Sequence, residues 1–295
     1  MSKKNPSGMT RRNVIYGAAT GMAAMAAASI ATSAHAATQA ASQDAKVAPT
    51  QELAGKRVLV TGASRGIGAG IALAFADKGA DVVITYLRSA DKAAAMVKAI
   101  EAKGRRAVAI QADSADPAAV RRSVEETVQR LGGLDILVNN VGISRSGPLA
   151  QMSLDDIDAV LHVNARSAAL ASQAAIPHLK PGGRIITVGS CLAERVPYPN
   201  LTVYSMSKSA LLAFTRGLAR ELGPQDITVN LVQPGPIDTD QNPANGDWAE
   251  PNKRLTSLNR YGKPSDIAAA VTFLASPAAQ FMTGSVVTVD AGFNA

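Results

Sequence analysis

A phenol and an ammonium group stand four residues apart in the stretch Tyr204-Ser205-Met206-Ser207-Lys208. The surrounding sequence has a helical pattern, and residues four apart lie on one face of a helix. A nearby positive charge stabilises a phenolate, so we expect Lys208 to lower the pKa of Tyr204. Such a phenol can protonate an alkoxide as a ketone is reduced, or accept the proton when an alcohol is oxidised. The pair therefore predicts acid–base chemistry on a carbonyl or hydroxyl group.

Ser190 directly follows a strand-like run over residues 185–189. Ligands of open α/β sheets bind beyond the carboxyl ends of the strands. We therefore expect the Ser190 hydroxyl to hold a substrate oxygen beside Tyr204. The three histidines of the chain show no metal-ligand spacing, so no metal site is predicted.

A glycine-rich turn, Thr61–Gly68, has the spacing G-x-x-x-G-x-G between a strand-like run and a helical stretch. Gly62 permits the tight turn, Gly66 lets the backbone approach a pyrophosphate, and Gly68 lets the helix pack closely on the strand. The positive end of the helix then faces the phosphates. Glycines also serve plain loops, but the strand–turn–helix context favours a dinucleotide site.

The end of the second predicted strand distinguishes NAD from NADP. An acidic residue there would bond the ribose 2′-hydroxyl and repel a 2′-phosphate, but residues 82–89 contain no acid. Arg88 and Arg65 can both reach this position, and an arginine fork suits a phosphate. We therefore expect NADP(H) to be favoured over NAD(H). The alternative for Arg88 is a solvated surface charge.

Strand-like and helical stretches alternate from residue 57 to the end of the chain. The predicted strands cover residues 57–61, 81–86, 106–111, 134–139, 184–189, 228–233 and 285–290. The predicted helices cover a stretch ending near residue 78 and then residues 90–103, 117–131, 154–179, 203–222 and 265–275. Continuous apolar strands separated by helices indicate a parallel sheet with helices on both faces. We predict one α/β domain over residues 55–295, a Rossmann-type doubly wound parallel sheet of about seven strands.

The basic charge of the chain is concentrated at its start. Residues 1–36 carry four of the 30 basic side chains and none of the 23 acidic ones, which leaves a net charge of +3 from a total of +7. That balance is ordinary for a soluble enzyme. Only five Phe, five Tyr and one Trp are present, so the chain has few aromatic side chains on which the bases of a nucleic-acid polymer could stack. We therefore expect no such partner.

The first segment has the features of an export signal. Arg11-Arg12 precede a weakly apolar run over residues 14–32, and Ala34-His35-Ala36 provides a small-x-small cleavage pattern. This resembles a twin-arginine signal cut after residue 36, followed by a flexible lead-in over residues 37–54. The alternatives are a transmembrane anchor and a disordered tail. We expect a periplasmic or otherwise exported protein with no stable membrane anchor after cleavage.

Taken in order, these motifs resemble the short-chain dehydrogenase/reductase family, and the likeness covers residues 55–295. The glycine turn is similar to the family's T-G-x-x-x-G-x-G motif. Asn139–Gly142 is similar to its N-N-A-G motif, with Val141 in place of alanine, and Pro234–Thr239 is similar to its P-G-x-x-x-T segment. The resemblance implies a nicotinamide-dependent oxidoreductase that assembles as a homodimer or homotetramer.

The resemblance also implies two sets of site residues. Ser190, Tyr204 and Lys208 would form the catalytic site with Asn164, which would hold a water in a proton relay from Lys208. The implied cofactor contacts are Gly62, Ser64, Arg65, Gly66, Ile67, Gly68, Tyr86, Arg88, Ser89, Asp113, Ser114, Asn140, Val141, Gly142, Tyr204, Lys208, Pro234, Gly235, Ile237 and Thr239.

Two functions stay open within the family. The general likeness to 3-oxoacyl-carrier-protein reductases implies an NADPH-dependent enzyme that reduces a small-molecule carbonyl or oxidises the alcohol. Residues 232–245 are more similar to biofilm-dispersal members described as binding cyclic di-GMP, which implies a regulatory binding protein with little or no turnover. The complete catalytic set favours the enzyme, since a pure binder needs no groups for proton transfer.

Two arginines and the tryptophan stand where the family builds its substrate pocket. Arg145 follows the fourth predicted strand, Arg195 lies between Ser190 and Tyr204, and Trp248 ends a polar segment at the place of the family's substrate lid. Converging arginines would suit a carboxylate or phosphate, whereas solvated loop charges are the alternative. We hypothesise a small polar or anionic carbonyl substrate.

Overall fold

The computed structural model describes residues 51–295, so the predicted export signal over residues 1–36 lies outside the described residues. The last residues of the predicted lead-in fall inside this range and pack against the body of the fold. Leu53 is 1% exposed, and its N–H donates to the carbonyl of Lys78 at 3.0 Å. The body therefore begins before residue 55, because an apolar side chain of the predicted lead-in belongs to the core.

The strands form one parallel sheet. They are β1 (Arg57–Val60), β2 (Asp81–Tyr86), β3 (Ala107–Gln111), β4 (Ile136–Asn139), β5 (Arg184–Val188), β6 (Thr228–Pro234) and β7 (Val286–Val289). Their order in the sheet is β3-β2-β1-β4-β5-β6-β7, and β1 pairs with β4 through Val58 opposite Ile136. The predicted doubly wound sheet of seven strands is confirmed. Its order reverses between β1 and β4, and such a switch point is where open α/β sheets bind ligands.

Helices cover both faces of the sheet. They are α1 (Gly66–Asp77), α2 (Ala90–Glu101), α3 (Pro117–Leu131), α4 (Leu154–Leu161), α5 (Ser167–Ala175), α6 (Thr202–Leu222), α7 (Ala249–Leu255) and α8 (Pro264–Ala275). Among residues 51–295, none of the helices combines the length and apolar character needed to cross a membrane.

The core has one layer on each side of the sheet, and β1 shows how the sequence separates them. Val58 and Val60 pack with the apolar faces of α1, α2 and α8, whereas Leu59 packs with α3, α5 and α6. Successive side chains of a strand point to opposite faces. A strand that is apolar at every position is therefore buried on both sides, as the pattern predicts.

One predicted helix, residues 154–179, is interrupted in the structure. A π-helical turn, His162–Arg166, separates α4 from α5. Such turns insert an extra residue into an α-helix and are common at functional sites. Asn164 lies in the middle of this turn, and the hydrogen bonds described below account for the interruption.

Candidate active site

The residues predicted to bind the cofactor and substrate come together at one edge of the sheet. Each group follows the carboxyl end of a strand, and in a parallel sheet these ends share an edge. The glycine turn follows β1, and Tyr86 ends β2. The other groups are Arg88 and Ser89 after β2, Asp113 and Ser114 after β3, Asn140 to Gly142 after β4, Ser190 after β5, and Gly235 to Thr239 after β6. The first two turns of α6 carry Tyr204 and Lys208 to the same edge.

Tyr204 and Ser190 form the polar centre of the site. Ser190 precedes a short 3-10 helix, Cys191–Ala193, and its Oγ accepts a hydrogen bond from the N–H of Leu192 at 3.2 Å. Burial raises the pKa of Tyr204, and a hydrogen bond with Ser190 partly offsets that rise. Tyr204 is therefore protonated at neutral pH and able to donate its proton.

Lys208 is 4% exposed, and its Nζ donates to the carbonyl oxygen of Val188 at 3.2 Å. The same Nζ lies 6.0 Å from the centroid of the Tyr204 ring. Burial lowers the pKa of Lys208 to about 8, and no carboxylate among residues 51–295 forms an ion pair with it. Removal of both groups from water thus outweighs their attraction, and the expectation that Lys208 lowers the pKa of Tyr204 is not met.

Replacing Lys208 with methionine is expected to raise the free energy of unfolding at neutral pH. Methionine has a similar length and avoids burying a charge with a single carbonyl partner. The pKa of Lys208 falls from 10.5 to about 8 on folding, so between these pH values the unfolded wild type binds more protons than the folded one. The free energy of unfolding of the wild type therefore rises with pH across this interval, by up to about 3 kcal/mol. The advantage of the variant should be largest below this interval and shrink across it. Denaturant unfolding at several pH values measures it, and an advantage that grew with pH would contradict the argument.

Asn164 has most of its hydrogen-bonding groups engaged. Its Oδ1 accepts from the N–H of Ile143 at 2.8 Å, and its Nδ2 donates to the Ile143 carbonyl oxygen at 2.9 Å. The same Nδ2 also donates to Ser207 Oγ at 2.9 Å. These bonds tie the π-helical turn to the loop after β4 and to α6. The side chain therefore holds these three parts of the chain together. Both N–H groups of its amide are engaged in these bonds, so neither is left for a water.

Ser207 is a site residue that the sequence analysis missed. Its side chain is fully buried, accepts from Asn164 Nδ2 and donates to the Tyr204 carbonyl oxygen at 2.6 Å. A serine inside a helix commonly donates to a carbonyl three or four residues earlier, so the position of Ser207 in a predicted helix was only a weak indication of its bond to Tyr204. The link to Asn164 crosses 43 positions of sequence, so no local pattern could reveal it.

The glycine turn leaves no room for larger side chains, and the loop after β4 holds it in place. A Cβ on Gly62 would lie 2.6 Å from Val141 Cγ2, and one on Gly68 would lie 2.5 Å from Asn140 Nδ2. Asn140 donates from its backbone to Thr61 Oγ1 and from its side chain to the Thr61 carbonyl, both at 2.9 Å. Gly62 and Gly66 have φ values of +64° and +59°, which glycine adopts readily.

The surroundings of the turn fit a dinucleotide. Arg65 makes no side-chain cap on α1, and no acidic residue lies in the first turn of that helix, whose N–H groups suit a phosphate. Arg88 is exposed and forms no ion pair within residues 51–295. Gly142 keeps space beside Lys208, since a Cβ there would lie 3.1 Å from Nζ. A cradle of glycines with exposed arginines at its outer end matches a cofactor that carries an extra phosphate.

The segment after β6 closes against the glycine turn. Gly235 allows a close approach to the chain after β7, because a Cβ there would lie 2.5 Å from Asp290 Cα. Ile237 then pairs with Gly262 in an isolated bridge. Thr239 places its methyl group 3.6 Å from the position that a Cβ on Gly66 would take. The predicted contact segment therefore does reach the turn.

The two arginines expected to converge on the substrate are held apart by other partners. Arg145 pairs with Asp156 at 3.4 Å, and Arg195 donates to the Phe293 carbonyl oxygen at 2.5 Å. Both charges already have partners outside the catalytic centre, so the structure gives the anionic-substrate hypothesis no support. The segment before Tyr204 and the segment after β6 instead meet through an aromatic pair: the rings of Tyr198 and Trp248 lie 5.5 Å apart at 61°.

Comparison with known proteins gives consistent matches. The model of the family described as Enoyl-(Acyl carrier protein) reductase matches residues 62–294. The cyclic-di-GMP-binding biofilm dispersal mediator protein of Escherichia coli is 43% identical over 241 residues, which cover 82% of this chain and 98% of that protein. Versicolorin reductase 1 of Aspergillus parasiticus is 41% identical over 253 residues, which cover 81% and 97%. A crystal structure of a short chain dehydrogenase from Burkholderia cenocepacia in complex with NADP is 55% identical, with a TM-score of 0.82 and coverage of 83% and 100%.

Proposed function

The chain belongs to the short-chain dehydrogenase/reductase family, and we propose that it reduces a small-molecule carbonyl to an alcohol with NADPH, or catalyses the reverse. One observation carries the proposal. A protonated Tyr204, with the Nζ of buried Lys208 6.0 Å from its ring centroid, stands at the same sheet edge as Ser190 and the glycine turn. A general acid next to a dinucleotide cradle is the arrangement that carbonyl reduction requires.

The roles of the side chains follow from their positions. Ser190 and Tyr204 would hold the carbonyl oxygen, and the Tyr204 hydroxyl would give its proton to that oxygen as it gains negative charge. Lys208, whose Nζ lies 6.0 Å from the centroid of the Tyr204 ring, would stabilise the negative charge that Tyr204 gains as it gives up its proton. Asn164 would fix the geometry between the loop after β4 and α6. NADPH, when bound, supplies the hydride.

A preference for NADPH over NADH is supported by the charges at the adenosine end of the cradle. Residues 82–89 carry no acidic group that would repel a 2′-phosphate, and Arg65 and Arg88 are both exposed there. The similar Burkholderia cenocepacia enzyme was crystallised with NADP. The purified protein should therefore oxidise NADPH when a suitable carbonyl compound is added. A panel of aliphatic, aromatic and acidic ketones and quinones tests this, with NADPH and protein but no carbonyl compound as the control.

A second candidate function rests on one relative. The Escherichia coli protein that is 43% identical is named as cyclic-di-GMP-binding. In this second function, the chain would bind a cyclic dinucleotide on the reductase fold and would not convert it to a product. Equilibrium binding of cyclic di-GMP, together with failure of every carbonyl compound to oxidise NADPH, would favour this function over the reductase.

Assembly with further copies is part of the proposal. β7 lies at one edge of the sheet and its residues are mostly half-buried. Phe281, which comes just before it, is fully exposed, and Phe273 on α8 is 45% exposed. An open strand edge next to exposed aromatic side chains suits contact with another subunit. A homodimer or homotetramer would cover these groups.

We also propose that the protein is exported in folded form. Arg11 and Arg12 precede a weakly apolar run, and the twin-arginine route reads such a pair. Changing both arginines to lysine keeps the charge but removes the pair that the route recognises. Uncleaved precursor should then accumulate in the cytoplasm, as measured by fractionation and immunoblotting. Replacement of Lys3 and Lys4 by arginine is the matched control and should leave export intact, and an unchanged periplasmic yield of the first variant would contradict the proposal.

A further inference from the structure

Asp240 lies between two cations from distant parts of the chain. Its Oδ2 is 2.6 Å from Lys92 Nζ and 3.6 Å from Arg65 Nη1. Lys92 belongs to α2, Arg65 directly precedes α1, and Asp240 follows β6. A single carboxylate oxygen therefore contacts both cations, which lie close enough together to be bridged by one anion.

This contact contributes little to folding. The three side chains are between 45% and 54% exposed, and ion pairs between exposed groups add little stability. The hydrogen bond from Lys92 holds the pKa of Asp240 below its usual range, so the carboxylate is ionised at neutral pH. The cluster is therefore a charge arrangement that can be changed without unfolding the protein.

The position of the cluster relates it to the cofactor cradle. Thr239, the residue before Asp240, lies against Gly66 of the glycine turn. Arg65 is also one of the two arginines proposed to contact the ribose 2′-phosphate. Asp240 thus places a negative charge on a cation that the cofactor would use.

We propose that Asp240 competes with the 2′-phosphate of NADPH for Arg65 and Lys92, so that this carboxylate tunes affinity for NADPH and Lys92 is a third phosphate-binding cation. The inference rests on the proposed function, since it takes NADPH as the ligand. Two of its three residues, Asp240 and Lys92, lie outside the predicted cofactor set.

The direction of the effect follows from charge. A phosphate monoester carries nearly two negative charges at neutral pH and three acceptor oxygens. It would replace the carboxylate as the partner of Arg65 and would then be repelled by Asp240 a few ångströms away. Because the groups are exposed, the repulsion is moderate and screened by salt. NADH lacks this phosphate, so Asp240 should have little influence on its binding.

The test measures dissociation constants for NADPH and NADH by calorimetry, without any substrate. Asp240→Asn keeps the shape of the side chain and removes its charge, and it should tighten NADPH binding about three- to tenfold at low salt. NADH binding should change less than twofold, and the gain for NADPH should shrink as salt is added. Lys92→Met should weaken NADPH binding to a similar degree and leave NADH binding unchanged. Asp247→Asn, an exposed acid in the same segment with no ion pair among residues 51–295, is the matched control and should change neither affinity.

Other outcomes separate failure of this inference from failure of the proposed function. Suppose that Arg65→Met weakens NADPH binding more than NADH binding. If Asp240→Asn then has no effect, weakens NADPH binding or shifts the affinity for both cofactors equally, the inference about Asp240 is overturned and the proposed function stands. If Arg65→Met also leaves the preference for NADPH unchanged, the assignment of the 2′-phosphate to these cations is wrong, and the inference fails with it.

Discussion

Tyr204→Phe is expected to lower turnover by about 10²–10⁴-fold while leaving NADPH affinity nearly unchanged. The substitution removes the hydroxyl that would give the proton and keeps the ring, whose centroid lies 6.0 Å from Lys208 Nζ. We expect cofactor binding to depend mainly on the glycine turn and its neighbouring cations, which the change leaves in place. Single-turnover oxidation of bound NADPH measures the chemical step, and a fluorescence titration measures the affinity.

Tyr198→Phe provides the matched control for this experiment. Tyr198 lies in the segment between Ser190 and Tyr204, and its hydroxyl is buried with no hydrogen-bond partner among residues 51–295. It has no lysine four residues later, so its loss should change turnover by no more than a few-fold. If the Tyr204 variant retained activity within a few-fold of wild type, or if the two variants lost activity equally, Tyr204 would not be the general acid.

Arg88→Ala is expected to weaken NADPH binding by about ten- to a hundredfold and to leave NADH binding almost unchanged. One charge-assisted hydrogen bond to a phosphate contributes roughly 1.5–3 kcal/mol. Dissociation constants for both cofactors, measured under the same salt conditions, give the result directly.

Lys98→Ala is the control for the arginine variant, since Lys98 is an exposed cation on α2. Lys98→Ala changes the net charge by the same amount as Arg88→Ala, but it leaves the side chains at the end of β2 in place. Equal weakening of NADPH and NADH by Arg88→Ala would mean that Arg88 does not contact the 2′-phosphate. Equal effects of Arg88→Ala and Lys98→Ala would attribute the loss to overall charge.

The sheet was predictable because burial on both faces leaves a strong mark on the sequence. Every residue of β4 and of β6 is buried, and the corresponding runs contain only apolar and uncharged polar residues. The positions of the glycine turn and of Ser190 followed from the same fact, since strand ends in a parallel sheet share one edge.

Features that depend on distant contacts were not predictable. The π-helical turn at Asn164 is tied to Ile143 and Ser207, and a periodic pattern cannot report such bonds. The raised pKa of Tyr204 depends on burial, which the spacing to Lys208 does not reveal. Likewise, Asp240 meets Lys92 across 148 positions of sequence, a pairing that only the fold creates.

Dependence on distant contacts also explains why the two arginines do not converge as the sequence analysis expected. Arg145 and Arg195 lie in the loops after β4 and β5, as the sequence indicates. Their charges are taken by Asp156 and by the carbonyl of Phe293, both of which are remote in sequence or lie in another element. Placement in a loop therefore does not fix the direction of a charged side chain.

Transfer of a labelled hydride is the most direct test of carbonyl reduction by this protein. NADPH that carries deuterium at the transferable position of the nicotinamide ring is incubated with the protein and each carbonyl compound of the panel, and the products are analysed by mass spectrometry. We predict an alcohol with deuterium on the carbon of the former carbonyl, formed by the wild type and by Tyr198→Phe but not at a comparable rate by Tyr204→Phe. Absence of a deuterated product from every compound, in a protein shown by titration to bind NADPH, would contradict the proposed function.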